Sequence, residues 1–578
     1  MKNAVFSRLM DYLKPHKKWL ALGVIGALVS APVTLLGPIF IGRAIDEILP
    51  GKMASWEVIL QNLVLLGVSA GISALFHWLM QLANRTLSAR LAQTLRRDAF
   101  ESVNGAPLSR IDGAPHGDLV SRLVNDADAA AEGVLQGLSQ LLPGLVTLIV
   151  TLILMLYLNV RLALLVILIT PLSVIFSRLI VVRTGKFFVR QSTVQGEMSA
   201  LVGEMVGNRA VVRAMGYEKS ALERFEKKNR EYYSENFKAT LYSSIINPGT
   251  RFVNTIVYVA VGLFGALLAI RGDITIGVVT VFLAYANSYT KPFNEVGAVM
   301  TQLQSAFAGI ERLLELCDWE SEPADLPDAV HPEGTKGCVS AKELCFSYQP
   351  DRPLIRELSF DAKPGQRIAL VGPTGCGKTT IINLLMRFYE LDSGEISVDG
   401  CSISEIARNS LRGMYGMVLQ ETWLKRATVA ENIAYARPDA THEEIVAAAK
   451  AAFAHGFIRQ LPEGYDTVIG KAGGNLSEGQ KQLLCIARIM LAKPDILILD
   501  EATSNIDTRT ELLIQQAMDK LMEGRTSFVV AHRLSTIRNA DCILVMRDGM
   551  VLERGTHEEL LKRAGVYAEM LASQFAQE

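Results

Sequence analysis

The stretch Arg367–Val371 (RIALV) runs directly into Gly372–Thr380 (GPTGCGKTT), and the apolar segment IINLLMRF follows it. This is the pattern G-x-x-x-x-G-K-[ST] in the order strand, loop, helix, which is the context that gives the pattern its meaning. Small residues let the backbone N–H groups of the loop close around phosphate oxygens. Lys378 is suited to neutralise the β- and γ-oxygens, and the Thr379 hydroxyl to ligate Mg²⁺. The predicted nucleotide-binding residues of the loop are Gly372, Pro373, Thr374, Gly375, Cys376, Gly377, Lys378, Thr379 and Thr380.

A second motif lies downstream of this loop. Ile496–Asp500 (ILILD) is an apolar run typical of a buried strand, and it ends in Asp500 followed by Glu501. A carboxylate at the carboxyl end of a strand, beside a phosphate loop, is well placed to hold the water shell of Mg²⁺. Glu501 is then the candidate that orients or deprotonates an attacking water. The two motifs together predict an α/β domain that hydrolyses ATP.

The first half of the chain has a different composition. The chain has 578 residues and a mean hydropathy of +0.25, which is high for a soluble protein. A helix needs about 20 mainly apolar residues to cross a membrane. Six stretches qualify: Trp19–Ile41, Val58–Met80, Val134–Leu158, Leu162–Val182, Phe252–Ile270 and Ile274–Tyr289.

Basic residues set the predicted orientation of these spans. They crowd the N-terminal segment and the two long segments that follow spans 2 and 4, whereas the links after spans 3 and 5 are a few residues long. This predicts a cytosolic N-terminus and a cytosolic second half. The two long segments are rich in helix formers, and we expect them to extend the membrane helices into the cytosol. Leu108–Asp112 and Arg213–Glu218 are the candidate points at which the chain turns back.

The remaining segments complete the predicted domain organisation. Helical spacing of apolar residues before residue 14 predicts a short helix at the membrane interface; these residues are Val5, Phe6, Leu9, Met10 and Leu13. The stretch 318–337 is acidic, holds three prolines and lacks periodicity, which is typical of a linker. The predicted domains are a transmembrane domain, 1–317, the linker, and an ATP-binding cassette, 338–578. Seven cysteines lack metal-ligand spacing and read as free thiols in a reduced cytosol.

Between the two motifs lies Leu476–Gln480 (LSEGQ), which runs into the helical KQLLCIARIML. LSEGQ resembles the signature motif of ATP-binding cassette (ABC) transporters. Other motifs of that family stand in the expected order: Tyr348, Gln420 in VLQETW, SNID at 504–507, and His532 in VVAHRLST. The resemblance covers essentially the whole chain and is closest to half-transporters with exporter-type architecture. It implies a six-helix, all-α transmembrane domain joined to an α/β P-loop cassette.

The resemblance also implies roles for single residues. Tyr348 would stack on adenine, and Gln420 and His532 would contact Mg²⁺ or the γ-phosphate as part of the catalytic set with Glu501. The implied Mg²⁺ ligands are Thr379, Gln420 and Asp500. Four signature residues would close over ATP held by a second cassette, and Asp507 would lie at that dimer interface. The four are Ser477, Glu478, Gly479 and Gln480.

Three features depart from the family pattern. Glu478 replaces the first glycine of LSGGQ, Asn505 and Ile506 replace two residues of SALD, and Lys471 stands where Glu is usual. A carboxylate beside a γ-phosphate adds like-charge repulsion unless its side chain points away. In a homodimer both ATP sites would contain the altered signature, and in a heterodimer only one would. The sequence therefore favours a heterodimer with a different half-transporter over a homodimer.

Several functions stay open at this stage. An exporter of amphipathic compounds, lipids or peptides is favoured over an importer of a metal-chelating compound on the same fold. A soluble ABC ATPase acting on DNA or ribosomes fits poorly with six spans, and a net charge of −1 gives no general attraction to nucleic acid. A regulated channel is disfavoured because the hydrolytic residues are present. The expected location is a bacterial inner membrane, with the protein in contact with lipid and the cassette in the cytoplasm.

The cargo is the least specified part of the prediction. Six polar residues in or near the spans are candidates to face a cavity: His77, Gln81, Asn254, Tyr258, Asn287 and Tyr289. They include no strongly charged cluster, which favours an uncharged or amphipathic compound.

Overall fold

The computed structural model describes residues 2–48, 55–332, 334–419, 422–470, 476–500, 506–530 and 537–574. The chain forms two compact units, one made of Met1–Gly105 and Ala114–Glu320, the other of Ala106–Gly113 and Ser321–Glu578. Most of the predicted linker therefore belongs to the second unit.

The first unit is helical. The helices before residue 318 are α1 (Lys2–Leu13), α2 (Lys17–Ile48), α3 (Trp56–Gly105), α4 (Leu108–Asp112), α5 (His116–Ser121), α6 (Ala127–Gln136), α7 (Leu142–Leu158), α8 (Val160–Gly207), α9 (Arg209–Ala214), α10 (Glu218–Ser244), α11 (Ile246–Ile270) and α12 (Ile276–Cys317). Of these, α4 belongs to the second unit. Turns of π-helix join α5, α6 and α7 into one continuous helical run.

Among the described residues, four helical runs are long and apolar enough to cross a membrane: Ser7–Ile48, Trp56–Gly105, His116–Leu158 and Arg251–Ile270. They contain predicted spans 1, 2, 3 and 5. Predicted span 4 lies in α8, and predicted span 6 lies in α12 from Ile276 onward; these helices are 48 and 42 residues long. Their crossing of the membrane stays a prediction.

The long predicted excursions are helical. Helix α3 has 50 residues, so at 1.5 Å per residue it is far longer than the hydrocarbon core is thick. The chain turns through α4 at one predicted point, Leu108–Asp112. At the other it turns just after α9, where Gly216 has a positive φ.

Small residues let α2 and α3 approach closely, as is common between membrane helices. A Cβ atom at Gly26 would lie 2.7 Å from the Cβ of Met80, so only glycine fits there. Helix α2 also contains Pro32 and Pro38. In the turn before Pro38, the carbonyl of Leu35 accepts a hydrogen bond from the Tyr285 hydroxyl at 2.6 Å. Neighbouring helices thus supply polar partners near the prolines, as expected.

The N-terminal helix α1 is confirmed as a helix and packs on the bundle. Leu9 and Leu13 are buried in a cluster with leucines of α3 and α12, whereas Met10 is exposed. Arg8 donates two hydrogen bonds, of 2.5 and 2.7 Å, to the Asp318 carboxylate just after α12. Its position at a membrane interface stays a prediction, and the side chain of Phe6 lies outside the described part.

The second unit is an α/β domain. Its strands are β1 (Val339–Phe346), β2 (Ile355–Ala362), β3 (Arg367–Val371), β4 (Ser393–Val398), β5 (Cys401–Ser402), β6 (Tyr415–Val418), β7 (Ile496–Asp500), β8 (Thr526–Val530), β9 (Cys542–Arg547) and β10 (Met550–Gly555). Its helices are α13 (Lys378–Leu385), α14 (Arg408–Met414), α15 (Val429–Ile433), α16 (His442–Ala451), α17 (His455–Ile458), α18 (Glu478–Ala492), α19 (Thr508–Met522), α20 (His557–Arg563) and α21 (Val566–Gln574).

These strands form two sheets, an antiparallel one in the order β2-β1-β4-β5 and a larger one in the order β10-β9-β3-β8-β7-β6. In the larger sheet β9, β3, β8, β7 and β6 are parallel. The apolar runs RIALV and ILILD become β3 and β7, which are buried as expected for a parallel sheet with both faces covered.

The part of the predicted linker that belongs to the second unit packs on α14. Arg408 is buried and donates to Asp325 at 3.0 Å and to Glu390 at 2.8 Å. Arg412 binds Glu322 through two hydrogen bonds, of 3.0 and 2.5 Å. The acidic residues of the predicted linker therefore neutralise arginines of the cassette. The lack of periodicity in the linker sequence could not have predicted these ion pairs.

Candidate functional site

The phosphate loop lies between β3 and α13 and depends on its glycines. Gly375 and Gly377 have φ of +83° and +102°, a region that favours glycine. A Cβ at Gly377 would also lie 2.6 Å from the Cδ1 of Ile355, and one at Gly372 would collide with the Met546 carbonyl. The backbone between strand and helix is therefore tightly curved.

Lys378 is held across this loop. Its ammonium group donates to the carbonyls of Gly372 at 2.7 Å and Pro373 at 3.0 Å. The side chain is buried, so the positive charge lies at the N-terminus of α13, where the helix dipole already favours an anion. This arrangement holds a positive charge within the loop, as the predicted phosphate site requires.

A cavity of 280 Å³ adjoins the outer side of the loop. It is lined by four loop residues and five others: Pro373, Thr374, Gly375 and Cys376, with Pro353, Leu354, Arg356, Asp548 and Gly549. Cys376 itself is buried, with its Sγ 3.9 Å from the Lys378 Nζ.

Tyr348 is adjacent to the first turn of α13. Its hydroxyl donates to the Thr380 Oγ1 at 3.3 Å and accepts from the Asn383 side chain at 3.2 Å. Its ring meets Tyr389 edge to face, at 5.0 Å between centroids, and is about half exposed, at 47%. An aromatic ring is thus fixed beside the phosphate loop with one part open. Stacking on adenine stays a prediction.

Asp500 ends β7 at the same edge of the sheet as the phosphate loop. Asp500 is paired with Val530 of β8, and Val530 with Leu370 of β3. Parallel strands lie about 4.8 Å apart, so Asp500 is roughly 10 Å from the end of β3. Asp500 and Thr379 both carry oxygen donors of the kind that Mg²⁺ prefers, and their joint Mg²⁺ site stays a prediction.

Three predicted catalytic residues, Gln420, Glu501 and His532, lie outside the described residues. Their roles stay predictions. Glu501 directly follows Asp500 in the sequence, and the structure places Asp500 at the carboxyl end of its strand.

The signature residues begin helix α18. Ser477 is its N-cap, and its hydroxyl accepts from the Gln480 N–H at 3.3 Å while the Gln480 side chain accepts from the Ser477 N–H at 3.0 Å. Gly479 is buried, and a Cβ there would collide with Thr510 and lie 3.0 Å from Ile506. Asp507 caps α19 by accepting from the Thr510 N–H at 3.0 Å. The structure therefore brings the signature and Asp507 together.

Glu478 is engaged within its own chain. Lys481 donates to its carboxylate at 2.7 Å, and Thr422 donates at 3.3 Å. The Lys481 hydrogen bond lowers the pKa of Glu478 below its ordinary value. Its charge is thus balanced by a neighbouring lysine, a contact that the sequence interpretation missed although Lys481 lies one helical turn away. Lys471 and Asn505 lie outside the described residues.

The membrane helices enclose a second candidate site. A cavity of 840 Å³ lies between α2, α3, α7 and α12. Of the six polar residues predicted to face a cavity, His77 is among its described lining residues. Tyr289 is instead buried against Phe293. The sequence interpretation missed Lys291, which lines the cavity and lies two residues beyond predicted span 6.

Comparisons with known proteins agree with this geometry. The family model described as "ABC transporter transmembrane region" matches residues 20–293, and that described as "ABC transporter" matches residues 355–504. The "Fatty acid ABC transporter ATP-binding/permease protein" of Mycobacterium bovis is 43% identical over 525 residues, which cover 91% of this chain and 83% of that protein.

Two further relatives are similar along nearly their whole length. The "ATP-dependent lipid A-core flippase" of Syntrophus aciditrophicus is 33% identical, over 99% of this chain and 95% of that protein. A solved structure described as a bacterial Atm1-family ABC exporter with ATP bound superposes with a TM-score of 0.78 at 28% identity. It covers 96% of this chain and 98% of that one.

These matches join a helical transmembrane domain to a cassette whose ATP hydrolysis is coupled to transport. They also fit apolar helices in a bacterial inner membrane and a cassette in the cytoplasm. The chain belongs to the ABC transporter family, as a half-transporter in which one membrane domain precedes one ATP-hydrolysing cassette.

Proposed function

We propose that this chain is one subunit of a dimeric exporter that moves lipids or other amphipathic compounds out of the cytoplasmic leaflet. The observation that carries the proposal is the phosphate loop: Lys378 is held on the Gly372 and Pro373 carbonyls, in a chain with long apolar helices. The names of the relatives, a fatty acid transporter and a lipid A-core flippase, support a lipid-like cargo. Import of a metal-chelating compound remains the alternative.

Within each ATP site this chain would bind the phosphates through the loop N–H groups and Lys378. Thr379 and Asp500 would hold Mg²⁺ together with Gln420, and the ion would neutralise β- and γ-phosphate charge when bound. Glu501 would orient the attacking water or accept its proton. His532 would contact the γ-phosphate, and Tyr348 would keep adenine in place by stacking.

The working unit is a dimer because the signature residues act on ATP bound by another cassette. Ser477, Gly479, Gln480 and Asp507 lie on neighbouring helix N-termini, which supports a shared interface surface. We propose a different half-transporter as the partner. The contacts of Glu478 remove the electrostatic reason for that choice, so it rests on the departures at Lys471, Asn505 and Ile506.

A vesicle experiment tests the proposal. The chain, with its partner where one is required, is reconstituted into lipid vesicles with cassettes outward, and ATP-dependent uptake is measured for fatty acid, lysophospholipid, peptide and metal-chelator probes. We expect uptake of a lipid-like probe. Glu501→Gln should nearly abolish uptake and hydrolysis and retain ATP binding, whereas the exposed control Glu523→Gln should not. ATP-driven movement from lumen to outside would instead establish import.

A further inference from the structure

The cavity in the membrane domain has a polar half. Its polar lining includes Ser30, Thr34, Ser73, His77, Gln140 and Lys291. The Thr34 and Ser73 hydroxyls lie 2.6 Å apart, and both reach the Ser30 carbonyl, at 2.8 and 3.1 Å. Polar groups in membrane-spanning helices are costly next to lipid and usually line a pathway or a binding site. The cavity is therefore built to hold something polar.

The ionisable side chains of this polar half are basic ones. His77 comes from α3 and Lys291 from α12, and of the described residues lining the cavity none is acidic. Lys291 already has an interaction within the protein. An ammonium group has three donors, however, so it can bind a ligand at the same time. Two basic groups on separate helices that line one cavity favour an anionic ligand over a cationic one.

An apolar cavity of 240 Å³ continues from the polar one. The two share Gln140, Gly144 and Pro292 in their linings. Apart from Gln140, the second cavity is lined by aliphatic and aromatic side chains and by glycine and proline. A hydrocarbon chain placed there would be removed from water, which is the main favourable term for an apolar ligand.

We propose that the two cavities form one cargo site for a lipid-like anion. Its headgroup, a carboxylate or a phosphate monoester, binds between His77 and Lys291, and its hydrocarbon chain lies in the cavity past Gly144. This proposal rests on the proposed export function and makes its substrate class specific. It also narrows the expectation of an uncharged or amphipathic cargo, which was made without Lys291.

Equilibrium binding without nucleotide tests the headgroup site independently of ATP hydrolysis. The full-length protein in nanodiscs of neutral phosphatidylcholine is titrated with oleate, oleyl phosphate, methyl oleate and oleylamine. We expect an anion to bind about tenfold more tightly than the ester, the size of a charge-assisted hydrogen bond. Lys291→Gln should remove this preference, Lys291→Arg should keep it, and the exposed control Lys227→Gln should leave it unchanged.

The comparison of oleate with oleyl phosphate identifies which headgroup the site takes. Equal affinity for anion, ester and amine would overturn the proposal, as would an anion preference that persists in Lys291→Gln and His77→Gln together. If neutral amphiphiles are exported with ATP and no anion preference exists, the export proposal is supported and the anion-site proposal is wrong. If anions bind selectively but none is transported outward, the anion-site proposal is supported and the export proposal is wrong.

A second variant tests the chain cavity. Gly144 borders both cavities, and a Cβ there would make only ordinary contact with Pro292, at 3.5 Å. Gly144→Leu should therefore fold while its longer side chain fills the passage, and oleate affinity should fall about tenfold, whereas binding of a short-chain carboxylate should not change. Gly67→Leu, at a position with no atom within 4 Å, is the matched control. Unchanged oleate binding in Gly144→Leu would contradict the proposed tail position.

Discussion

At the scale of single residues, the nucleotide-binding surfaces depend on positions where one atom decides what fits. Gly377 needs its positive φ and would collide with Ile355 if it carried a Cβ. Gly479 in the signature meets Thr510 in the same way, yet its neighbour Glu478 points to Lys481 and Thr422. Adjacent positions of one motif therefore differ sharply in what they tolerate.

The signature makes this difference testable. Gly479→Ala should reduce ATP hydrolysis by the assembled transporter at least about tenfold, because the start of α18 must move away from α19 at a cost of about 1–3 kcal/mol. Glu478→Gly should leave hydrolysis within about twofold, because it removes an exposed ion pair of small energy. Steady-state ATPase assays of both variants check this. A large loss in Glu478→Gly would show that its carboxylate acts on the partner's ATP.

Cys376 gives a second prediction at this scale. Its thiol is buried in the loop, so a maleimide should react slowly, and the reaction should inhibit ATPase because the added bulk blocks approach to the phosphates. ATP should protect, since the occupied loop opens less. Cys376→Ala should be active and insensitive, and the exposed Cys338 should react faster without inhibition. Inactivation of Cys376→Ala at the original rate would place the sensitive thiol elsewhere.

The residue-scale predictions from the sequence were strongest where a motif fixes local geometry. The strand, loop and helix around Lys378 needed only the pattern of small and apolar residues. The pairing of Glu478 with Thr422 joins residues 56 positions apart, and no local pattern encodes it. Lys291 was missed for another reason: it lies beyond the apolar window, although its helix continues to Cys317.

At the scale of elements, the membrane helices are held together by small residues and by helix caps. Gly277 near the start of α12 touches α2 so closely that a Cβ would collide with the Gly42 carbonyl and lie 2.5 Å from the Asp46 carboxylate. Asp46 accepts from the Gly277 N–H at 2.7 Å and from the Thr275 hydroxyl at 2.6 Å. It thereby satisfies donors that the first turn of a helix leaves free.

Substitution of Gly277 should loosen this contact between α2 and α12. Gly277→Ala should destabilise the purified chain by about 1–3 kcal/mol, because two helix backbones must separate and the Asp46 hydrogen bonds lengthen. Gly262→Ala in α11 is the control, since no atom lies within 4 Å of its added Cβ. Thermal unfolding in detergent measures both. Equal melting temperatures of the Gly277→Ala and Gly262→Ala variants would mean that the start of α12 can move to accept a Cβ without loss of stability.

Hydropathy located the apolar stretches, but it could not fix where the helices end. Helix α3 continues to Gly105 through a polar segment rich in helix formers, a composition that favoured helix but did not mark the residue at which the helix ends. The continuous run from His116 to Leu158 also passes through two π-helical turns, which no composition indicates. Helix length here is decided by packing of one helix against the next.

At the scale of the whole molecule, one chain carries a complete phosphate loop and a signature surface that serves another cassette. The order of the domains and the class of enzyme could be predicted from the sequence, because motifs and hydropathy are properties of short stretches of the chain. The choice of partner did not follow, because it depends on a surface that a single chain does not complete. The altered residues Lys471, Asn505 and Ile506 are the remaining sequence support for a different partner.

Complementation between variants of this chain tests that choice. Lys378→Ala disables a phosphate loop, and Ser477→Arg disables a signature, so neither variant hydrolyses ATP as a homodimer. If the chain paired with itself, random mixing would make about half the dimers mixed, each with one intact site, and restore about a quarter of wild-type ATPase. We expect no such recovery and little activity from the chain purified alone. The wild-type chain combined with one particular second half-transporter should show both ATPase activity and transport. Recovery on mixing the two variants would instead establish a functional homodimer, with LSEGQ competent at both sites.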